Sequence, residues 1–234
     1  DFLSFVELSF AAKYEKSLSL FDEVKYKGNF SGFDYVNIDA KKGGEVRFGV
    51  EGGFNSLNQF ILKGISASGL SYLYDSLMES SNDEISVMYP LIAKSVLYDK
   101  KKSFMIFKLN EKARFHDGVK ITADDVVFTF NKLINDGHPT YKLVFRDVKN
   151  VKKLAKYLVK FDFKGSKNRD LPFAIASLPV LPKHYYENHE FSKTTLQAPL
   201  GSGPYKIVNI EPNHSISYER VDNYWGKGLS VNIG

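Results

Sequence analysis

Between Lys94 and Asp136 the hydrophobic period changes from two to that of a helix, with a turn at each change. That stretch alone restricts the chain to folds mixing short strands with helices. Lys94–Tyr98 reads as a strand and runs into a charged turn, Asp99-Lys100-Lys101-Lys102. Ser103–Leu109 then alternates through Phe104, Ile106 and Leu109, so the two runs predict a hairpin. Arg114-Phe115-His116-Asp117-Gly118 is a second turn. Thr122 follows as a helix N-cap, with Asp125 three residues on to reach back in capping-box fashion. Val126, Val127, Phe130 and Leu133 give this helix an apolar face, and it ends near Asn135-Asp136-Gly137 with Pro139 beyond.

The same reading extends along the chain. Residues 1–20 read as helical or loosely ordered, and residues 21–44 as turn-rich. Glu45–Val50 alternates as a strand, and Gly69–Met78 has Leu70, Leu73, Tyr74 and Leu77 at helical spacing. Lys149–Phe163 fits two strands turning near Ala155-Lys156. The alternative is a basic amphipathic helix lying on a membrane. Pro172, Pro179 and Pro182 fence a short buried segment. Pro199–Tyr205 is a Gly/Pro corner that opens the strand Tyr205–Ile210, with Ser215–Val221 as its partner. No internal repeat stands out.

Several chemistries are excluded by composition and spacing. The 234 residues contain no cysteine, which removes thiolate nucleophiles, disulfides and cysteine-based metal sites. There is no phosphate loop, no dinucleotide fingerprint and no serine elbow; Gly201-Ser202-Gly203 reads as a tight turn before a strand. His116, His138, His184, His189 and His214 include no pair at the i, i+4 spacing of helical zinc ligands. Asp124 and Asp125 in a first helical turn oppose the helix dipole, which accounts for them without catalysis. The expectation is therefore no catalytic residue, no metal and no cofactor. The net charge of +5 and pI of about 9.0 permit acidic partners, but Lys and Arg are scattered among 27 acids. A solvated basic surface is the simpler reading, and nucleic acid is not expected as a partner. No run of 18 apolar residues is present. Asp1–Ala12 is apolar apart from its acids and reads either as the stub of an export signal or as a short amphipathic helix.

Three blocks resemble the family 5 extracellular solute-binding proteins of peptide and nickel ABC importers. They are Leu91-Ile92-Ala93-Lys94-Ser95-Val96, the run from Phe104 to Phe128, and Gly201-Ser202-Gly203-Pro204-Tyr205-Lys206 followed by Glu219–Gly226 with its Tyr224-Trp225 pair. Leu18–Phe21, Phe33–Asn37, Lys42-Gly43-Gly44, Asn168–Pro172 and Leu178–Tyr185 resemble the Yej-type branch, which serves an importer of peptides and peptide-like antibiotics. The resemblance implies a type II periplasmic binding protein-like α/β fold of the peptide-binding cluster. It implies a first lobe with its inserted subdomain and no second lobe, since family members are expected to be roughly twice this length. On that pattern residues 1–44 are an N-terminal extension, 45–77 and 186–234 the core of lobe I, and 78–185 the inserted subdomain.

The function implied is capture of oligopeptides or peptide-like compounds in the periplasm, without catalysis, by a monomer that delivers them to an inner-membrane ABC permease. The candidate ligand contacts implied are Lys63, Gly64, Ile65 and Ser66, and Tyr141, Phe145 and Arg146. The plain structural readings are a helix-entry turn for the first group and packing against the next strand for the second. Two other functions stay open at this point. One is the same fold holding a nickel chelate, haem or a sugar; the other is a basic surface-interaction protein.

Overall fold

The structure, a computed structural model, describes residues 13–21, 23–98, 103–165 and 168–233. β1 (Leu18–Ser19), β2 (Met78–Ser80) and β3 (Val87–Pro90) form an antiparallel sheet in the order β1-β3-β2. β4 (Ala93–Tyr98), β5 (Phe104–Leu109), β6 (Val148–Ala155) and β7 (Leu158–Phe163) form a four-stranded antiparallel sheet, β4-β5-β7-β6. β8 (Tyr205–Glu211) and β9 (Ser215–Arg220) make a separate two-stranded ribbon. The helices are α1 (Ala123–Asp136), α2 (Pro139–Val144), α3 (Leu171–Ala176) and α4 (Lys183–Tyr186).

The register of the four-stranded sheet explains its core. Met105 lies opposite Phe161 and Phe107 opposite Val159, so four buried apolar residues share one face. α1 covers that face: the Phe130 ring meets Phe161 at 5.7 Å, and Phe107 meets Phe161 at 5.9 Å, both nearly perpendicular. Burying each such ring contributes on the order of 2–3 kcal/mol. The start of α1 follows the expected chemistry. Thr122 N–H donates to Asp125 Oδ2 at 2.9 Å and the Thr122 hydroxyl to the same oxygen at 3.0 Å, while Asp125 Oδ1 accepts from Lys183 N–H at 3.1 Å. Burial pushes the Asp125 carboxyl up, and these hydrogen bonds oppose that shift. The other carboxylate of the pair, Asp124, faces solvent and holds Lys153 Nζ at 2.6 Å. Gly137 N–H closes the helix on Leu133 O.

The reading of Lys149–Phe163 as two strands is borne out, with the β6 lysines exposed and Lys153 on the α1 side, where it meets Asp124. The β4–β5 hairpin and the β8–β9 pair are also as expected; residues 99–102 of the charged turn lie outside the described residues. So does Asp1–Ala12. The segment fenced by prolines contains α3.

Three expectations are corrected. Residues 13–20 are not helical: Glu15 bridges to Val96, and Leu18–Ser19 pairs with β3. Gly69–Met78 is not an α-helix but a 3-10 turn over Leu70–Leu73, after which Tyr74 is extended. The physical reason is competition for Leu73 O, which accepts the Ser202 and Gly203 N–H groups at 2.9 and 2.8 Å. Leu77 N–H donates to Leu178 O, so this stretch takes its bonds from distant backbone while Leu70, Leu73, Tyr74 and Leu77 stay buried. Glu45–Val50, thirdly, forms no strand and stands in solvent.

Candidate ligand-binding site

Asn55 and Ser56 begin a closed loop. Their N–H groups both donate to Ile65 O (3.0 and 3.1 Å), Ala67 N–H donates to Ser56 O, and Ser56 and Ser66 form a parallel bridge. Inside the loop, buried Asn58 donates through Nδ2 to Phe191 O at 2.6 Å and accepts Phe60 N–H at 3.0 Å, while the Ser66 hydroxyl donates to Asn58 O at 3.1 Å. Gly64 has φ +84°, and a Cβ there would meet Thr194 Cγ2 at 2.8 Å and Asn55 Oδ1 at 3.0 Å. Its glycine is required by loop closure, whatever approaches from outside. Lys63, Ile65 and Ser66 are exposed at the end where the loop closes, Ser66 with its hydroxyl turned inward.

The second group sits next to this loop. His138 caps α2: its N–H donates to Phe60 O at 2.7 Å, and its Nδ1 accepts Thr140 N–H at 3.2 Å. This bond joins the 55–67 loop to α2. Beside it lies a cavity of about 350 Å³ lined by Gln59, His138, Thr140, Tyr141, Val144, Phe145, Ala174, Ser177, Leu178 and Pro179. The wall is mainly apolar with a few polar groups at its margin, a composition that suits an uncharged organic group. Tyr141 and Phe145 rings lie parallel at 6.4 Å, and Phe145 also packs on Phe130 at 5.5 Å. Phe145 is thus a core residue that forms part of the cavity wall. Tyr141 is half-buried, and burial raises its hydroxyl pKa. Arg146 does not line the cavity. It is exposed, with Nε 3.8 Å from Asp147, and its carbonyl accepts Lys164 Nζ.

A second polar centre was not foreseen. Asp75, 3% exposed, accepts the Tyr224 hydroxyl at 2.9 Å and the Trp225 indole N–H at 2.7 Å. Its own N–H donates to the Ser202 hydroxyl at 3.0 Å, and His116 N–H donates to Gly201 O. The Tyr-Trp pair therefore serves as the polar end of a clasp that ties the last segment to the 3-10 turn. The available signal was that buried Tyr and Trp need a partner for their polar atoms. The sequence does not say which acid supplies it. Burial, against both hydrogen bonds, pushes the Asp75 carboxyl up to about 7. The folded state thus holds this proton more tightly than the unfolded chain. Stability from Asp75 is full below about pH 4 and is lost as the pH rises to about 7, a swing on the order of 4 kcal/mol. Urea denaturation of the wild type and Asp75→Asn from pH 4 to 8 should give a stability difference that varies across this window. A constant difference would refute the assignment.

Among the described residues no group of three or more His, Asp or Glu is placed to hold a metal, and no helix is long and apolar enough to cross a membrane. Against known proteins, the pattern described as "Bacterial extracellular solute-binding proteins, family 5 Middle" matches residues 87–232. The chain belongs to this family. Within it the relatives place the chain in the Yej-type branch. It is 38% identical over 228 residues to the probable peptide-binding protein YejA of Agrobacterium fabrum, covering 94% of this chain and 37% of that protein. It is also 38% identical over 224 residues to YejA of Escherichia coli, covering 96% and 37%. Among solved structures it resembles the oligopeptide-binding protein AppA of Bacillus subtilis in complex with a nonapeptide. The TM-score is 0.62 at 24% identity, over 75% of this chain and 35% of that one. The fold is accordingly the type II periplasmic binding protein fold of the peptide-binding cluster, of which this chain covers part. The chain spans little more than a third of the length of these relatives, which are longer than the expected factor of two. Their family is one of solute-binding proteins, not enzymes.

Proposed function

We propose that this chain is the front part of a periplasmic receptor that captures oligopeptides or peptide-like compounds for an inner-membrane ABC permease. In this reading residues 45–77 and 186–234 are the core of lobe I, residues 78–185 its inserted subdomain, and the receptor works as a monomer. The observation that supports the reading is the Phe60–His138 bond, which joins the loop carrying Lys63–Ser66 to α2, where Tyr141 and the following Phe145 border the cavity. Ligand main chain runs along the exposed residues Lys63–Ser66, where backbone groups common to all peptides are recognised, and an apolar side chain enters the cavity. No reactive group takes part. Arg146 guides acidic ends from outside the cavity.

Isothermal titration of a random peptide pool into the chain joined to the remaining length of a Yej-type relative tests this. Tyr141→Ala should weaken binding about tenfold, on the order of 1.4 kcal/mol. Wild-type affinity should change less than about twofold between 50 and 500 mM salt, whereas a basic surface binding acidic lipid or nucleic acid would lose affinity steeply. Undiminished binding by Tyr141→Ala would sink the site, and no binding of any peptide would sink the function.

A further inference from the structure

The half-buried His138 ring lines the cavity beside α2 with one nitrogen already committed. Its Nδ1 accepts Thr140 N–H at 3.2 Å and lies 2.8 Å from the Thr140 hydroxyl. A backbone N–H can only donate, so Nδ1 carries no hydrogen and the ring proton sits on Nε2. Nε2 makes no hydrogen bond among the described residues. The Gln59 amide and the Tyr141 hydroxyl, which also line the cavity, have no partner among the described residues either. The rest of the wall is mainly apolar, with Val144, Phe145, Ala174, Leu178 and Pro179, and no acid, lysine or arginine lines it. Covering a polar group without giving it a partner costs free energy comparable to the bond itself. A hydrocarbon guest therefore covers the Nε2–H group at a loss, whereas a guest that brings an acceptor does not.

We infer that His138 is the specificity-determining residue of this cavity and donates its Nε2–H to an oxygen carried by the guest's side group. The class selected is an uncharged, largely apolar group bearing a hydroxyl, ether or carbonyl oxygen; among peptide side chains tyrosine fits it. A charged group finds no counter-ion on this wall. Thr140 is the positioning residue, because its N–H fixes which ring nitrogen faces the guest. The inference rests on the cavity being the side-chain pocket proposed above.

Two small probes test it on this chain: 4-methylanisole and 4-ethyltoluene, which differ by an ether oxygen in place of a methylene. Binding is followed by the NMR shifts of the Tyr141 ring, and the wild-type His138 ring is observed through its 1H and 15N signals. The ring should carry its proton on Nε2, and that N–H should shift with the ether and not with the hydrocarbon. His138→Asp keeps an N-cap acceptor for Thr140 N–H but has no hydrogen to donate. It should weaken the ether about tenfold and the hydrocarbon less than about threefold. A proton on Nδ1, an affinity ratio unchanged by His138→Asp, or no binding of either probe overturns the inference. None of these outcomes involves main-chain recognition at Lys63–Ser66, so peptide capture stands or falls by its own titration.

Discussion

Gly203→Ala should lower the stability of this chain by about 3 kcal/mol, at the upper end of what overpacking costs. A Cβ at residue 203 would lie 2.5 Å from Tyr72 O, 2.8 Å from Leu73 C and 2.8 Å from Tyr74 N. All three are backbone atoms, so no side chain can swing aside. The close approach exists because Ser202 and Gly203 N–H groups both reach Leu73 O, while Gly203 O faces His116 Nε2 at 2.8 Å. The substitution therefore separates the Gly-Ser-Gly corner from the 3-10 turn and loosens the Asp75 clasp with it. Urea denaturation followed by the fluorescence of Trp225, the only tryptophan, reads both effects. Gly228→Ala is the control: a Cβ there meets nothing within 4 Å, and the change should stay within about 0.5 kcal/mol. Equal effects from the two substitutions would overturn the account.

Phe161→Ala should cost about 3–5 kcal/mol. Phe161 is fully buried at the centre of the four-stranded sheet, between Phe107 on the neighbouring strand and Phe130 on α1. Truncation leaves a void walled by a sheet on one side and a helix on the other, neither free to close it. Phe161→Leu keeps most of the volume and should cost less than half as much. Denaturation midpoints at constant m-value measure both, and a loss below about 1 kcal/mol for the alanine variant would contradict the packing described.

These sites also mark the limits of reading the sequence. The β4–β5 hairpin and α1 are legible because their determinants are local: alternation through Phe104 and Ile106, and the Thr122–Asp125 pair that closes on itself. Gly69–Met78 is misread because its apolar spacing is helical while Leu73 O is claimed by amides on a far part of the chain. Glu45–Val50 has strand alternation, but pairing requires a partner, and alternation cannot supply one. At the candidate site, Tyr141 and Phe145 were named through the family resemblance. The residues that complete the cavity with them, Ala174, Ser177, Leu178 and Pro179, have nothing in their own sequence to mark them, because α2 and the α3 segment meet only in the folded chain. Arg146, next in sequence to Phe145, falls on the other side of the turn and misses the cavity.

The clasp on Asp75 has a consequence for the order in which the molecule forms. Its indole partner lies 150 residues further along the chain, and closing so long a loop is slow compared with zipping adjacent strands. During synthesis, the β6–β7 hairpin can condense as soon as its own residues emerge. The acid must wait until residue 225 has been made. Until then it is solvated and charged, and the segment around Asp75 lacks this fastening. The segment at Tyr224 and Trp225 thus fastens structure already formed upstream of it.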